Sequence, residues 1–261
     1  MKSVCSMIKA LLLGTGTYLC WFLLPNLLYL AGVLLFPRYR DAILEYLGLF
    51  GTALSALAVM GAFALFGRRF RETACWMPRR ASALTHLGSA AFGICANTAV
   101  SVLLTLLPLP ESLVGEYAQQ SQRLYDPAHA VLSLLSVAVL APVFEEILFR
   151  GYLFRSLREG FPFWAAAAVT ALLFGIAHGQ LLWVCYAAGM GFLFCVISER
   201  SGTLTLSVAA HVGFNLTAVP QMLLPESSRS VAGLLISGAV SAFLAVLIWR
   251  TLLFPKGPRA G

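Results

Sequence analysis

Glu145 and Glu146 stand side by side in APVFEEILFRGYLF, residues 141–154, and the preceding HAVLSLLSVAVL is equally apolar. Of the 11 Asp and Glu in the chain, only these two lie deep in an apolar run. Two of the four histidines also sit among apolar neighbours, His178 in FGIAH and His211 in HVGFN. In the second pattern Asn215 follows one helical turn later on the same face. A carboxylate withdrawn from bulk water can serve as general base toward a water molecule. Imidazole and carboxamide groups can polarise a carbonyl and stabilise the oxyanion of a tetrahedral intermediate. Glu145, His178, His211 and Asn215 therefore compose an amide hydrolase that uses no nucleophilic side chain. The set Glu145, His178 and His211 also matches the ligand count of a catalytic divalent metal, zinc above all. Both readings stand at this level, although nothing in the sequence requires a cofactor.

The partners of these groups follow from helical geometry. Glu146 and Arg150 are i and i+4 on one face and can neutralise each other. Glu145, about 100° further round the helix, has no such local partner. A carboxylate at a bilayer centre costs at least ~2.5 kcal/mol, so an unpaired one calls for a function. Glu145 and His178 are nearly equidistant from Phe161-Pro162, where a Gly-Phe-Pro turn can join antiparallel helices and bring both to one depth. That places the pair about 24 Å from the turn, whereas His211 lies only about 12 Å into its own helix. The conflict is resolved if the Glu145 hairpin projects into the cytoplasm, as the crowding of Arg155, Arg158 and Glu159 at its turn suggests, or if the fifth and sixth spans are drawn wrongly.

The elements that must hold these residues are membrane helices. Hydrophobic residues make up 59% of the 261 and charged residues 11%, with a mean hydropathy of +0.84. Soluble domains average about a quarter charged residues, and several runs here exceed the ~20 apolar residues a bilayer demands. The expected fold is all-α, a polytopic bundle of about eight spans at 8–36, 43–66, 83–107, 129–153, 162–179, 181–198, 203–224 and 231–253. The first run is too long for a signal-peptide core and is retained as a span. Of the 18 Lys and Arg, only Arg38, Arg40, Arg123 and Arg229 fall outside when the N-terminus is cytoplasmic. The positive-inside rule then puts both termini in the cytoplasm. The net charge of +7 is scattered over short loops, which argues for lipid as the partner surface and against nucleic acid.

Residues 1–128 form an N-terminal set of helices without a recognised motif, and 129–261 form the half that carries chemistry. Six cysteines show no CxxC and no zinc-finger spacing. There is no HExxH and no GxSxG. The two aspartates, Asp41 and Asp126, are not deep in any span, which removes an intramembrane aspartyl dyad. His86 and His129, at span ends, are expected to face headgroups. Gly189-Met190-Gly191 and Ala165–Ala168 read as close helix contacts.

Three motifs in order, EEILFRG, FGIAH and HVGFN, resemble those of the CAAX protease and bacteriocin-processing family, also called CPBP or Abi. SERSGTL, residues 198–204, resembles its weaker connecting motif, so the likeness covers about residues 136–216. The resemblance implies a glutamate-type intramembrane endopeptidase, from a family long described as metalloproteases. On that basis Glu145 activates water, Glu146 and Arg150 organise its surroundings, His178 and His211 complete the site, and Asn215 stabilises the oxyanion. Phe174 packs beside them. The partner is a peptide or protein substrate that reaches the membrane. Two other classes compete: a non-proteolytic immunity or scaffold protein that keeps the motifs for stability, and a proton-coupled transporter, which related halves would favour and which no internal repeat supports.

Overall fold

A computed structural model describes residues 4–43, 61, 81–123, 130–223 and 230–254. These residues are helical throughout apart from short turns. α1 is Val4–Leu35, α2 Ala83–Leu106, α3 Glu111–Arg123, α4 residues 130–160, α5 Phe163–Ile176, α6 Leu181–Ser201, α7 Leu204–Leu223 and α8 Val231–Ile248. The expected span 43–66 lies almost wholly outside the described residues.

Start and stop signals follow side-chain chemistry. Ser82 accepts from the Thr85 N–H to cap α2, Gln180 accepts from Trp183 to cap α6, and Ser230 accepts from Gly233 to cap α8. Gly179 and Gly202 take positive φ angles of 76° and 68°, which lets the chain reverse between α5 and α6 and between α6 and α7.

Three of the described helices, Ala83–Leu106, Leu181–Ser201 and Val231–Leu253, are long and apolar enough to cross a membrane. On α8 the outward residues are apolar, with Ile236 65% and Phe243 67% exposed. A surface of that kind suits hydrocarbon and not water. The chain is an integral membrane protein.

The span expected at 162–179 is shorter than drawn: α5 has 14 residues, about 21 Å of rise against about 30 Å of hydrocarbon. Its last expected residues, 177–179, instead lie in the turn into α6. The span expected at 129–153 runs on to Gly160, because nothing breaks the helix before Phe161-Pro162.

Small residues set the closest crossings. A Cβ on Gly93 would run into the Ala210 carbonyl, and one on Gly213 into the Ala90 carbonyl, so α2 and α7 meet backbone to backbone. Ser89 Oγ donates to the Leu206 carbonyl at 2.6 Å across the same seam. His86, expected to face headgroups, also ties α2 to α7, with Nε2 2.8 Å from the Thr205 hydroxyl. α8 packs on the other side of α2, α1 lies along residues 147–160 of α4, and α5 and α6 form a tight antiparallel hairpin. Helices from the half without a recognised motif thus pack directly on those that carry the motifs.

α4 and α7 run antiparallel, and three contacts fix their register. Gly151 meets Leu204, Glu146 meets His211, and Val137 meets Asn215. Counting from the first contact, Glu145 is about 9 Å back along α4 and His211 about 10 Å forward along α7. The two arrive together. Beyond Gly151, residues 152–160 carry α4 about 13 Å past the start of α7, which accounts for the unequal depths read from the two turns.

Candidate active site

Glu146 is the anchor. Its side chain is 0% exposed, and its Oε1 accepts from Arg150 Nη1 at 2.7 Å and from His211 Nδ1 at 2.9 Å. Arg150, equally buried, sends Nη2 to the Gly191 carbonyl at 2.9 Å. Its guanidinium lies 4.3 Å from the centre of the Phe174 ring, 5.2 Å from that of Phe194 and 6.0 Å from that of Phe149. Those aromatic faces share the cation with Glu146. Gly191 is glycine for a local reason: a Cβ there would lie 2.9 Å from Phe174 Cδ1 and 3.0 Å from Arg150 Nη2.

Glu145 is placed differently. Its side chain keeps 13% exposure, and its Oε2 is 3.7 Å from His211 Nε2, longer than a direct hydrogen bond. His211 therefore stands between the two carboxylates, with Nδ1 committed to Glu146 and Nε2 facing Glu145. Its ring stacks on Phe194 at 4.8 Å with a 26° tilt and meets the Phe174 ring at 5.6 Å.

His178 follows the last turn of α5, where its Nδ1–H donates to the Phe174 carbonyl at 2.8 Å and fixes the ring. Nε2 is the nitrogen left to face the site, and the ring lies within electrostatic reach of Glu145, His211 and Arg150. Phe174 is the hub of this packing. It is buried and touches Phe149, Arg150, His178 and His211.

Asn215 joins through an event in α4. Around Ser136–Leu140 the helix widens to π geometry, so the Ala141 N–H bonds the Ser136 carbonyl. The matching partner for the Val137 carbonyl would be the N–H of residue 142, which is Pro142 and has none. Asn215 Nδ2 supplies the missing donor at 2.9 Å. One of its two N–H groups is thereby spent on the helix.

All seven residues singled out in the sequence thus lie around one centre. Glu146, Arg150, His211, Phe174 and His178 are linked by direct contacts, Glu145 faces His211, and Asn215 is the most peripheral. Sequence reading missed Phe194 and the part Gly191 plays beneath Arg150. Neither carries a local signal, since a phenylalanine and a glycine in an apolar helix are unremarkable until the neighbouring helices are in place. Among the described residues, no three His, Cys, Asp or Glu side chains are grouped so as to share one metal ion.

Residues 127–217 match the family model described as type II CAAX prenyl endopeptidase Rce1-like. Over that stretch the chain is similar to this family. The matched stretch contains every residue of the centre described above. Among curated relatives, 113 residues are 29% identical to the protein named "Putative membrane peptidase YdiL" of Bacillus subtilis (strain 168), covering 43% of this chain and 46% of that protein. A further 87 residues' match, 38% identical, is to an uncharacterized 24.3 kDa protein of Escherichia coli, covering 31% of this chain and 40% of that protein. The UPF0177 protein YbdI of Lactococcus lactis subsp. lactis (strain IL1403) is 28% identical over 160 residues, covering 60% of this chain and 81% of that protein. The chain thus spans less than half the length of the first two. No solved structure matches.

Proposed function

We propose that this protein is an intramembrane endopeptidase that hydrolyses a peptide bond in a membrane-associated or lipid-modified peptide by glutamate-activated water. One observation carries the reading: of two adjacent glutamates, the buried Glu146 is held by Arg150 and His211, while the partly exposed Glu145 faces His211, within electrostatic reach of His178, with its carboxylate uncommitted. The Rce1-like match supports the reaction class.

In this reading Glu145 takes a proton from water as the oxygen adds to the carbonyl carbon, and returns it to the departing amide nitrogen. With both Nδ1 atoms committed, each histidine presents Nε2. A neutral ring accepts a hydrogen bond there and can hold the attacking water, the role we give His178. His211, between its two carboxylates, is given the place beside the reacting carbonyl. The second N–H of Asn215 completes the oxyanion contact. Phe174, Arg150 and Glu146 keep these groups in place.

The reading includes about eight spans with both termini in the cytoplasm, which the distribution of Lys and Arg supports. It also places the protein in a bacterial cell membrane, since the relatives named above are bacterial. The mechanism needs no metal, and the zinc-bound variant on Glu145, His178 and His211 is the alternative that chelation tests.

The decisive experiment compares peptides released from membranes carrying the wild type with those from Glu145→Gln, by mass spectrometry. Peptides found only with the wild type establish catalysis and identify a substrate. Identical profiles from two folded, abundant proteins would replace this reading with the immunity or scaffold role.

A further inference from the structure

Gln180 closes the turn that carries His178. It is only 6% exposed, and a buried amide must find partners for both its ends. All of its polar groups are engaged. The backbone N–H donates to the His178 carbonyl at 2.9 Å, and the backbone carbonyl accepts from the Val184 N–H at 2.8 Å. In the side chain, Oε1 accepts from the Trp183 N–H at 3.1 Å, and Nε2 donates to the Leu113 carbonyl of α3 at 3.3 Å.

The bond to the His178 carbonyl spans only two residues, with Gly179 between them at a φ of 76°. It closes a γ-turn of the positive-φ kind, which is rare and strained. Strain of that sort persists only where the surroundings over-determine it. His178 is the residue placed between this turn and the last turn of α5.

Capping of α6 does not by itself explain a glutamine. An N-cap needs one acceptor, and Ser, Thr, Asp and Asn supply it on a shorter side chain. What Gln180 adds is a donor that reaches α3. That helix is itself fixed to the same two turns of α6. The Tyr117 ring meets Trp183 edge-on at 5.9 Å and Tyr186 at 6.4 Å, and the Tyr117 and Tyr186 hydroxyls share a hydrogen bond. Trp183 in turn meets the His178 ring edge-on at 6.4 Å. The imidazole is thus held by Phe174, through its carbonyl and its ring, and bounded by a tryptophan whose N–H Gln180 holds.

We propose that Gln180 is a positioning residue for His178: by tying the γ-turn and the start of α6 to α3, it keeps the imidazole turned toward Glu145. This rests on the peptidase reading above, in which that ring holds the attacking water. Misplacing a reacting group by about 1 Å can cost about 10²-fold in rate.

The test uses full-length protein in lipid nanodiscs, labelled with nitrogen-15 histidine and read by NMR, with His178→Gln identifying the His178 signals. Gln180→Ser keeps a cap for α6 and loses the tie to α3. Gln180→Asn keeps the amide but is one methylene too short for that tie. In both variants the His178 ring signals should move or broaden while those of His211 stay, and the heating midpoint should change little. Hydrolysis of a quenched peptide copied from the products of wild-type membranes should lose about 10–10²-fold in kcat, with KM within about twofold.

His178 signals and a kcat that stay at their wild-type values, whatever the midpoint does, would leave Gln180 a structural cap and overturn the proposal. Displaced His178 signals, with no peptide hydrolysed by the wild type, would retain the hold of Gln180 on the ring and reject the peptidase reading.

Discussion

Glu145→Gln and Glu146→Gln are nearly the same chemical change one residue apart, and their effects should be opposite in kind. Glu146 is fully buried against a fully buried Arg150, with bonds of 2.7 Å to Arg150 and 2.9 Å to His211. Removing one partner of a buried ion pair costs about 3–5 kcal/mol, because the other charge is left without compensation. A glutamine carbonyl can keep one acceptor position, so the lower end of that range, about 3 kcal/mol, is expected. For a chain of this size each kcal/mol moves the midpoint by about 2–4 °C, which puts the shift at about 6–12 °C.

Glu145 makes no contact of that kind. Its 3.7 Å approach to His211 Nε2 is outside hydrogen-bonding distance, and its side chain is partly exposed. Glu145→Gln should change stability by less than about 1 kcal/mol and reduce peptide release by about 10²–10⁴-fold, the range for losing a general base. The assay heats detergent-solubilised protein in steps and measures the fraction that elutes as a monodisperse peak, beside product formation from the same preparations. An equal loss of midpoint in both variants would refute the division of labour between the two glutamates. An unchanged midpoint in Glu146→Gln would refute the burial argument itself.

Asn215→Ala should lower stability by about 1–3 kcal/mol, since the Val137 carbonyl beside Pro142 loses its donor. It should also lower kcat by about 10²-fold or more through the missing oxyanion contact; full activity would remove Asn215 from the site. Gly191→Ala places a methyl against Phe174 and Arg150 and should cost about 1–3 kcal/mol, visible in the same heating assay as a lower midpoint. Treatment with a strong zinc chelator followed by dialysis should leave peptide release unchanged. Loss of release that added zinc restores would establish the metal-bound alternative on Glu145, His178 and His211.

The sequence made the site legible where polarity conflicted with surroundings. Two glutamates and two histidines among Leu, Val and Phe need a reason, and the need to satisfy each of them points to the others. The register of α4 against α7 was not legible, because it depends on how close the helices come. That distance is set by Gly93 and Gly213 opposing the Ala210 and Ala90 carbonyls, which no spacing within one segment encodes. The same cause hid the bond between Glu146 and His211, and with it the reason Glu146 has a second partner. The π-widened turns of α4 were also unforeseen, although Pro142 is their visible trace.

The adjacency of the glutamates then has a physical account. Successive residues of a helix point about 100° apart, so one turn of α4 can direct one carboxylate into the packed interior and the other toward the histidines. Fixing the first fixes the second, since they share a backbone that Arg150 and His211 hold through Glu146. His211 closes the arrangement from the opposite helix by bonding Glu146 with one nitrogen and facing Glu145 with the other. A single ring thereby sets the distance between the structural carboxylate and the one we assign to chemistry. A glutamate moved even one position along α4 would lose either the pin or the approach to the ring.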